Sequence, residues 1–371
     1  MNIRITVFAS LLTVCLTVKS QTTSLSMTDI LHLHDKSWFA SKEATSVADS
    51  IVKYQFASGG WAKNHNWHLA EKGAKLKERT EIWRQKNSSD GIGSTIDNKA
   101  TTTEIKILAR VYKATGNKKY RKAVLKGLDY LVKAQYPHGG WPQYYPYKPF
   151  TKEGAPFYSN HITFNDNAIY NVMCLLRDVY EERKPYDALQ LPSNTLQQLR
   201  AAFDRGISCI LKCQIIKDGR RTVWCQQHDE RTFMPANARS YELASFTGSH
   251  ETPDLLKLLM SLDKPSDEVV EAVTAAVEWL KAHAIEDMDL ETFTNKEGKK
   301  DRRLVHRFGS RIWARYYDQQ TEEPFVCDRD GVPQPSLEYI GYERRNGYGW
   351  YNKQPQEVID MYPAWISKVR P

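Results

Sequence analysis

The sequence predicts an all-α fold, an α/α toroid built from helix hairpins, with long irregular loops around a substrate groove. Three observations carry this. A motif ending in Gly-Gly-Trp recurs at a spacing of 80 residues, a helical apolar period precedes its later copies, and strand signals are sparse. Gln55-Phe56-Ala57-Ser58-Gly59-Gly60-Trp61 matches Gln135-Tyr136-Pro137-His138-Gly139-Gly140-Trp141. A degenerate third copy runs from Gln214 to Gly219 and closes on Trp224.

Residues 2–20 read as an export signal, in which Arg4 supplies the positive end and Ile5 to Val18 the apolar stretch. The stretch is short for a membrane span, and no other run reaches that length. A single catalytic domain is expected over 22–371, since no linker rich in Pro, Gly or Ser interrupts it. Thr102 to Thr115 reads as a helix stopped by Gly116. Tyr120 to Ala134 carries Ala123, Val124, Gly127, Leu128, Leu131 and Val132 on one face. Asn167 to Glu182 and Leu199 to Leu211 repeat this pair, and Ala272 to His283 reads as a fourth helix of the kind, lacking the Gly-Gly-Trp turn. The polar inserts 64–96 and 142–166 suit loops collected at one end.

Composition narrows the partners. The chain has 371 residues, a net charge of +8 and a pI near 9.0, which suits an anionic partner. With 10 Trp and 20 Tyr it is also rich in rings that stack on sugars. Export, with no P-loop and no GxGxxG, argues against nucleotides and nucleic acid. Five cysteines remain after the signal, an odd number in a large chain, so no disulfide scaffold is expected. Cys209, Cys213, Cys225 and His228 have spacing that could close a zinc site, but the apolar helical pattern around the first two favours buried small side chains.

Two helix openings carry the chemistry: Thr95-Ile96-Asp97-Asn98 and Phe164-Asn165-Asp166-Asn167-Ala168. One such step alone would be a helix cap. Two at equivalent places, each beside a polar loop, suit a hard cation such as Ca²⁺ or Mg²⁺, although no EF-hand loop is present. The last third of the chain is dense in arginine, and Arg311 and Arg315 would share one face if helical. Arg311, Arg315 and Arg329 alternate with Trp and Tyr, a mixture that binds planar carboxylates. Arg239 and Glu242 add to it from the middle of the chain. There is no G-x-S-x-G elbow and no HExxH.

An arginine cluster, a hard-cation site and export together point to an acidic polysaccharide cut by β-elimination. The motifs GGWAKN at 59–64, STIDNKATTTEI at 94–105, AQYPHGGWPQYYP at 134–146, ITFNDNA at 162–168, ARSYELAS at 238–245 and WARYYD…CDRDG at 313–331 occur in order. Together they resemble the pectate lyases of polysaccharide lyase family 10. The resemblance implies Ca²⁺-assisted elimination on polygalacturonate, with an arginine as Brønsted base and 4,5-unsaturated oligogalacturonates as products. It implies Asp97 and Asp166 at the metal and Lys63, Arg239 and Arg315 at substrate, with Asn98 and Asn167 grouped with them, and Arg329 as the base. Ala62 stands where the family usually has Pro. The expected partner is pectin or its oligosaccharides, with no nucleic acid and no membrane span, and the protein is read as a monomer, periplasmic or secreted. Two readings stay open: a hydrolase of acidic oligosaccharides using Asp97 with Asp166 or Glu242, and a non-catalytic glycan-binding protein.

Overall fold

The computed structural model describes residues 25–85, 93–147 and 158–370, so the export signal expected over 1–20 lies outside them. Its helices are α1 (Met27–Leu31), α2 (Lys42–Lys53), α3 (Gly73–Gln85), α4 (Thr102–Thr115), α5 (Lys118–Ala134), α6 (Ala168–Tyr180), α7 (Ser193–Cys213), α8 (Glu251–Met260), α9 (Asp267–Ala282), α10 (Tyr342–Gly347) and α11 (Gln354–Val369). The strands are β1 (Ile162–Thr163), β2 (Ile216–Lys217), β3 (Arg220–Arg221), β4 (Gln227–His228), β5 (Phe246–Thr247), β6 (Ile285–Thr294), β7 (Lys300–Ala314), β8 (Tyr316–Tyr317), β9 (Pro324–Cys327), β10 (Pro333–Gln334) and β11 (Tyr351–Asn352). No described helix is long and apolar enough to cross a membrane.

The expected all-α toroid is corrected. About half the chain is helical and about 15% is strand, in sheets ordered β1-β4, β10-β9-β8-β5, β11-β7-β6 and β2-β3, so the class is mixed α/β. The largest piece of sheet is the β6–β7 hairpin, which falls where the sequence shows an arginine cluster. Its strands alternate: Leu290 opposite Leu304 is apolar, while Glu291 pairs with Arg303 and Glu286 with Arg311. The apolar face is itself interrupted, with His306 opposite Met288 and Arg302 opposite Thr292, so no clean period of two shows. Arg311 and Arg315 are therefore not on a helix. Arg311 is half exposed, and Arg315, just past the strand, is buried. Part of the 64–96 insert is also the helix α3 rather than loop.

The helices pair as the sequence suggests. α4 packs on α5, α6 on α7 and α8 on α9, while α4, α6 and α8 form an inner row and α5, α7 and α9 an outer one. Gly116 ends α4 in the left-handed conformation, φ 69°. The repeat has a physical basis in two side chains. Gln55, Gln135 and Gln214 each donate to a carbonyl of the next outer helix, at Ala123, Ala202 and Ala272, over 2.9, 2.7 and 2.9 Å. The indoles of Trp61, Trp141 and Trp224 each donate to a carbonyl in the preceding helix, at Ile51, Leu131 and Ile210. Trp313 does the same to Leu280 over 2.7 Å. This is the fourth copy, pushed away from its helix by the β6–β7 hairpin. The first glycine of the Gly-Gly pair is dictated by close approach. A Cβ on Gly59 or Gly139 would lie 2.3 or 2.2 Å from the carbonyl oxygen of Lys126 or Arg205, on the neighbouring outer helix.

Candidate active site

The inner helices α4, α6 and α8 open at the same end of the molecule, and the turn before α4 touches the turn before α6. Each junction is tied down alike: the amides of Thr95, Thr163 and Thr247 donate to the carbonyls of Trp61, Trp141 and Trp224. Counted from these threonines, Asp97, Asn165 and Ser249 hold one position. Asn98, Asp166 and His250 hold the next, and Lys99, Asn167 and Glu251 the third. The two Asp-Asn steps are therefore one residue out of register with each other. Backbone angles agree: Asn98 and Asp166 have φ 51° and 50°, Lys99 and Asn167 have 64° and 59°. Asn and Asp tolerate this left-handed turn better than most residues.

Asp97 is buried and forms an ion pair with Lys63, two residues after Trp61, and its Oδ1 accepts from the Asn98 amide at 3.0 Å. Burial raises the Asp97 carboxyl, the Lys63 charge opposes this, and Asp166 nearby adds to the rise. Burial disfavours the Lys63 charge as well, but Asp97 more than offsets it and the ammonium is held firmly. Asn98 bonds Asn64 at 3.0 Å through its side-chain amide. Asp166 accepts from Asn165 at 3.0 Å and faces Arg315 at 3.3 Å. The Asn167 amide donates to Asp254 at 2.6 Å and leaves its oxygen buried without a partner.

Arg315 sits two residues after Trp313, as Lys63 does after Trp61. It is 2% exposed, paired with the fully buried Glu251, bonded to Asn165 at 3.0 Å, and stacked 4.6 Å from the Tyr348 ring. Burial works against its charge, and Glu251 reverses that. Arg239 is gripped by Glu242 through Nε and Nη2, a fork that leaves Nη1 for another partner. Glu242 is buried and also accepts from Tyr348 at 2.9 Å, so Arg239, Glu242, Tyr348, Arg315 and Asp166 form one continuous network. Tyr158 belongs to it as well. Burial raises its phenol, and the charges of Arg239 and Lys63 pull it back. Arg329 lies further out. It is 64% exposed, paired with exposed Glu343 at 3.2 Å, and 5.9 Å from the Tyr241 ring, which Arg239 approaches to 4.8 Å.

The carboxylates and the orphaned Asn167 oxygen are hard donors, and they fit Ca²⁺. They do not close a shell alone. Among the described residues, the only close group of three or more His, Cys, Asp or Glu ligands is His161, Asp229 and Glu230, elsewhere. The cysteines hold no metal geometry. Both His228 nitrogens are used, by the Cys225 amide at 3.1 Å and the Phe233 carbonyl at 2.8 Å, and the five described cysteines are unpaired.

The family model of pectic acid lyases matches residues 55–359. The chain belongs to this family. Two solved structures agree, both of family 10 polysaccharide lyase from Cellvibrio cellulosa. One is an aspartate-to-alanine mutant in complex with trigalacturonic acid, at 33% identity and TM-score 0.73, covering 90% of this chain and 96% of that one. The other has the same identity and TM-score and is covered to 95%. No curated protein matches the chain. The chain is thus a family 10 polysaccharide lyase.

Sequence reasoning missed three residues of this candidate site, Tyr158, Glu251 and Tyr348, and did not single out Asn165 within the opening that contains it. Glu251 was within reach, because Thr247-Gly248-Ser249-His250-Glu251 stands in the third repeat where the other two carry their Asp. A further buried acid lies in the first turn of α4. Glu104 accepts from the Trp67 indole at 2.9 Å, its other oxygen has no partner, and burial pushes it up to about 7 from 4.5. The native state then holds a proton the unfolded chain releases, so stability is full below pH ~4.5 and falls as pH rises through ~7. The expected loss is about 3 kcal/mol. Glu104→Gln is expected to remove that slope in urea unfolding followed from pH 5 to 9. An unchanged slope would exclude Glu104 as its source.

Proposed function

We propose that this lyase cleaves polygalacturonate by β-elimination, with Ca²⁺ held by Asp97, Asp166 and the substrate's own carboxylates, and releases 4,5-unsaturated oligogalacturonates. The observation that carries this reading is a cluster of two signs: two carboxylates at inner-helix openings, bordered by Lys63, Arg239 and Arg315. The relative's complex with trigalacturonic acid supports the substrate class. Ca²⁺ there would neutralise the substrate carboxylate and acidify the adjacent C5–H. Lys63 and Arg315 hold the two aspartates in place, Arg239 presents Nη1 towards substrate, and Arg329 offers its guanidinium to a uronate carboxylate. The base takes H5, the C5–H electron pair becomes the C4=C5 bond, and the glycosidic oxygen leaves and takes a proton from solvent.

Motif position gives the base as Arg329. The contacts favour Arg239, because it shares a network with Asp166 and is aimed by the buried Glu242, whereas Arg329 is outside that network. Burial and then Glu242 act on the Arg239 guanidinium, with a net upward shift, so its neutral form is scarce. The rate is therefore expected to climb through the alkaline range. The protein is proposed to act as a monomer after export through residues 2–20. The test is ultraviolet absorbance of polygalacturonate with the mature protein, in Ca²⁺ and in excess chelator. An unsaturated-uronate band that grows only with Ca²⁺ is the expected result. Reducing ends without that band would mean hydrolysis, and binding without either would mean a glycan-binding protein.

A further inference from the structure

A second polar centre lies at the end of the β1–β4 ladder. Ile162 pairs with His228 and Thr163 with Gln227. Carried one residue outward, this antiparallel register sets His161 opposite Asp229, with Glu230 next in the chain. One ligand atom from each of His161, Asp229 and Glu230 lies within 4.8 Å of the other two, and all three residues are partly buried. His161 Nδ1 is 3.3 Å from Glu230 Oε2. Asp229 is preset: Oδ1 accepts from the Arg231 amide at 3.0 Å, the Thr232 amide at 2.8 Å and the Thr232 hydroxyl at 3.0 Å, which leaves Oδ2 for another partner.

A separate observation concerns the inner pair of the same ladder, Thr163 and Gln227, two residues along the chain from His161 and Asp229. Thr163 is 0% and Gln227 1% exposed. The Thr163 hydroxyl and both polar atoms of the Gln227 amide are buried without a hydrogen-bond partner. Such groups are costly unless something satisfies them. Charge points the same way, since among the described residues the arginine paired with Glu230 is the 86% exposed Arg231, at 3.9 Å.

We infer that His161, Asp229 and Glu230 form a binding site for a borderline divalent cation of the Zn²⁺ or Mn²⁺ class, distinct from the Asp97–Asp166 pair. One imidazole with two carboxylates suits such an ion better than Ca²⁺, which takes oxygen. The ion cross-braces the segment carrying Tyr158 to the 229–234 turn, so its effect on the enzyme is positional. It fixes Tyr158 near Arg239 and shows in KM, with kcat little changed.

The experiment is calorimetric titration of chelator-stripped mature protein with Zn²⁺, in excess Ca²⁺, with Mn²⁺ spin resonance as a second probe. One saturable equivalent is expected. Glu230→Gln, which keeps the side-chain volume, is expected to weaken it at least tenfold, and His161→Ala to do the same. Asp97→Asn should leave it unchanged. Circular dichroism checks that each variant is folded. No saturable binding, or equal affinity in the wild type and Glu230→Gln, overturns the inference. Because the readout is binding, it stands or falls separately from the lyase mechanism.

Discussion

Arg239→Lys is expected to lower kcat by about 10³-fold, while Arg329→Lys raises KM severalfold and leaves kcat within about tenfold. Lysine keeps a positive charge for the buried Glu242, so the variant separates loss of the guanidinium from loss of fold. The difference comes from placement. Arg239 is aimed by Glu242, and Glu242 by Tyr348 at 2.9 Å, so its position is fixed before substrate arrives. Arg329 and its partner Glu343 are both mostly exposed, and such pairs contribute little to position. The initial rate of absorbance growth across a substrate series decides it. If Arg329→Lys carries the larger kcat loss, the base is Arg329 and Arg239 serves binding.

Arg315→Met is expected to cost about 3–5 kcal/mol of stability, because it strands a buried charge. Glu251 would remain buried with an orphaned second oxygen, and Asp166 would face it without the cation between them. Burial already raises the Glu251 carboxyl, and Arg315 is what opposes this. Arg315→Met with Glu251→Gln should recover a large part of that stability, since no bare charge remains. It should not recover activity, because the Asp166 carboxylate keeps only its bond from Asn165 and loses its cation. Urea unfolding midpoints of the single and double variants make the comparison. If the single variant unfolds within about 1 kcal/mol of the wild type, the pair is not a structural clamp.

The helix pairs were legible because their signal is local. Periodic apolar faces, the Gly116 stop and the repeated Gln and Trp all report contacts within or between neighbouring helices. The sheets were not, for two reasons. Most of the described strands are two residues long, too short for a period to register, and the one long hairpin sets His306 and Arg302 on the same face as Leu304, which breaks the alternation. At the site, Asp97, Asp166 and Lys63 could be read from helix openings and from the residue after a motif. Their register could not, since Asp97-Asn98 and Asp166-Asn167 look alike in letters and differ by one place in backbone. Arg315 was found for its type, but its partner Glu251, 64 residues earlier, is a tertiary fact.

The junctions before α4, α6 and α8 share one framework of Thr-to-Trp bonds, yet each carries its acid one station later than the last: Asp97, then Asp166, then Glu251. Duplicated segments left alone would have given identical acids at identical stations, and three openings with the same chemistry. Staggering abolishes that equivalence. One backbone pattern carries three different side-chain sets, so the junctions are alike in frame and unlike in what they can hold.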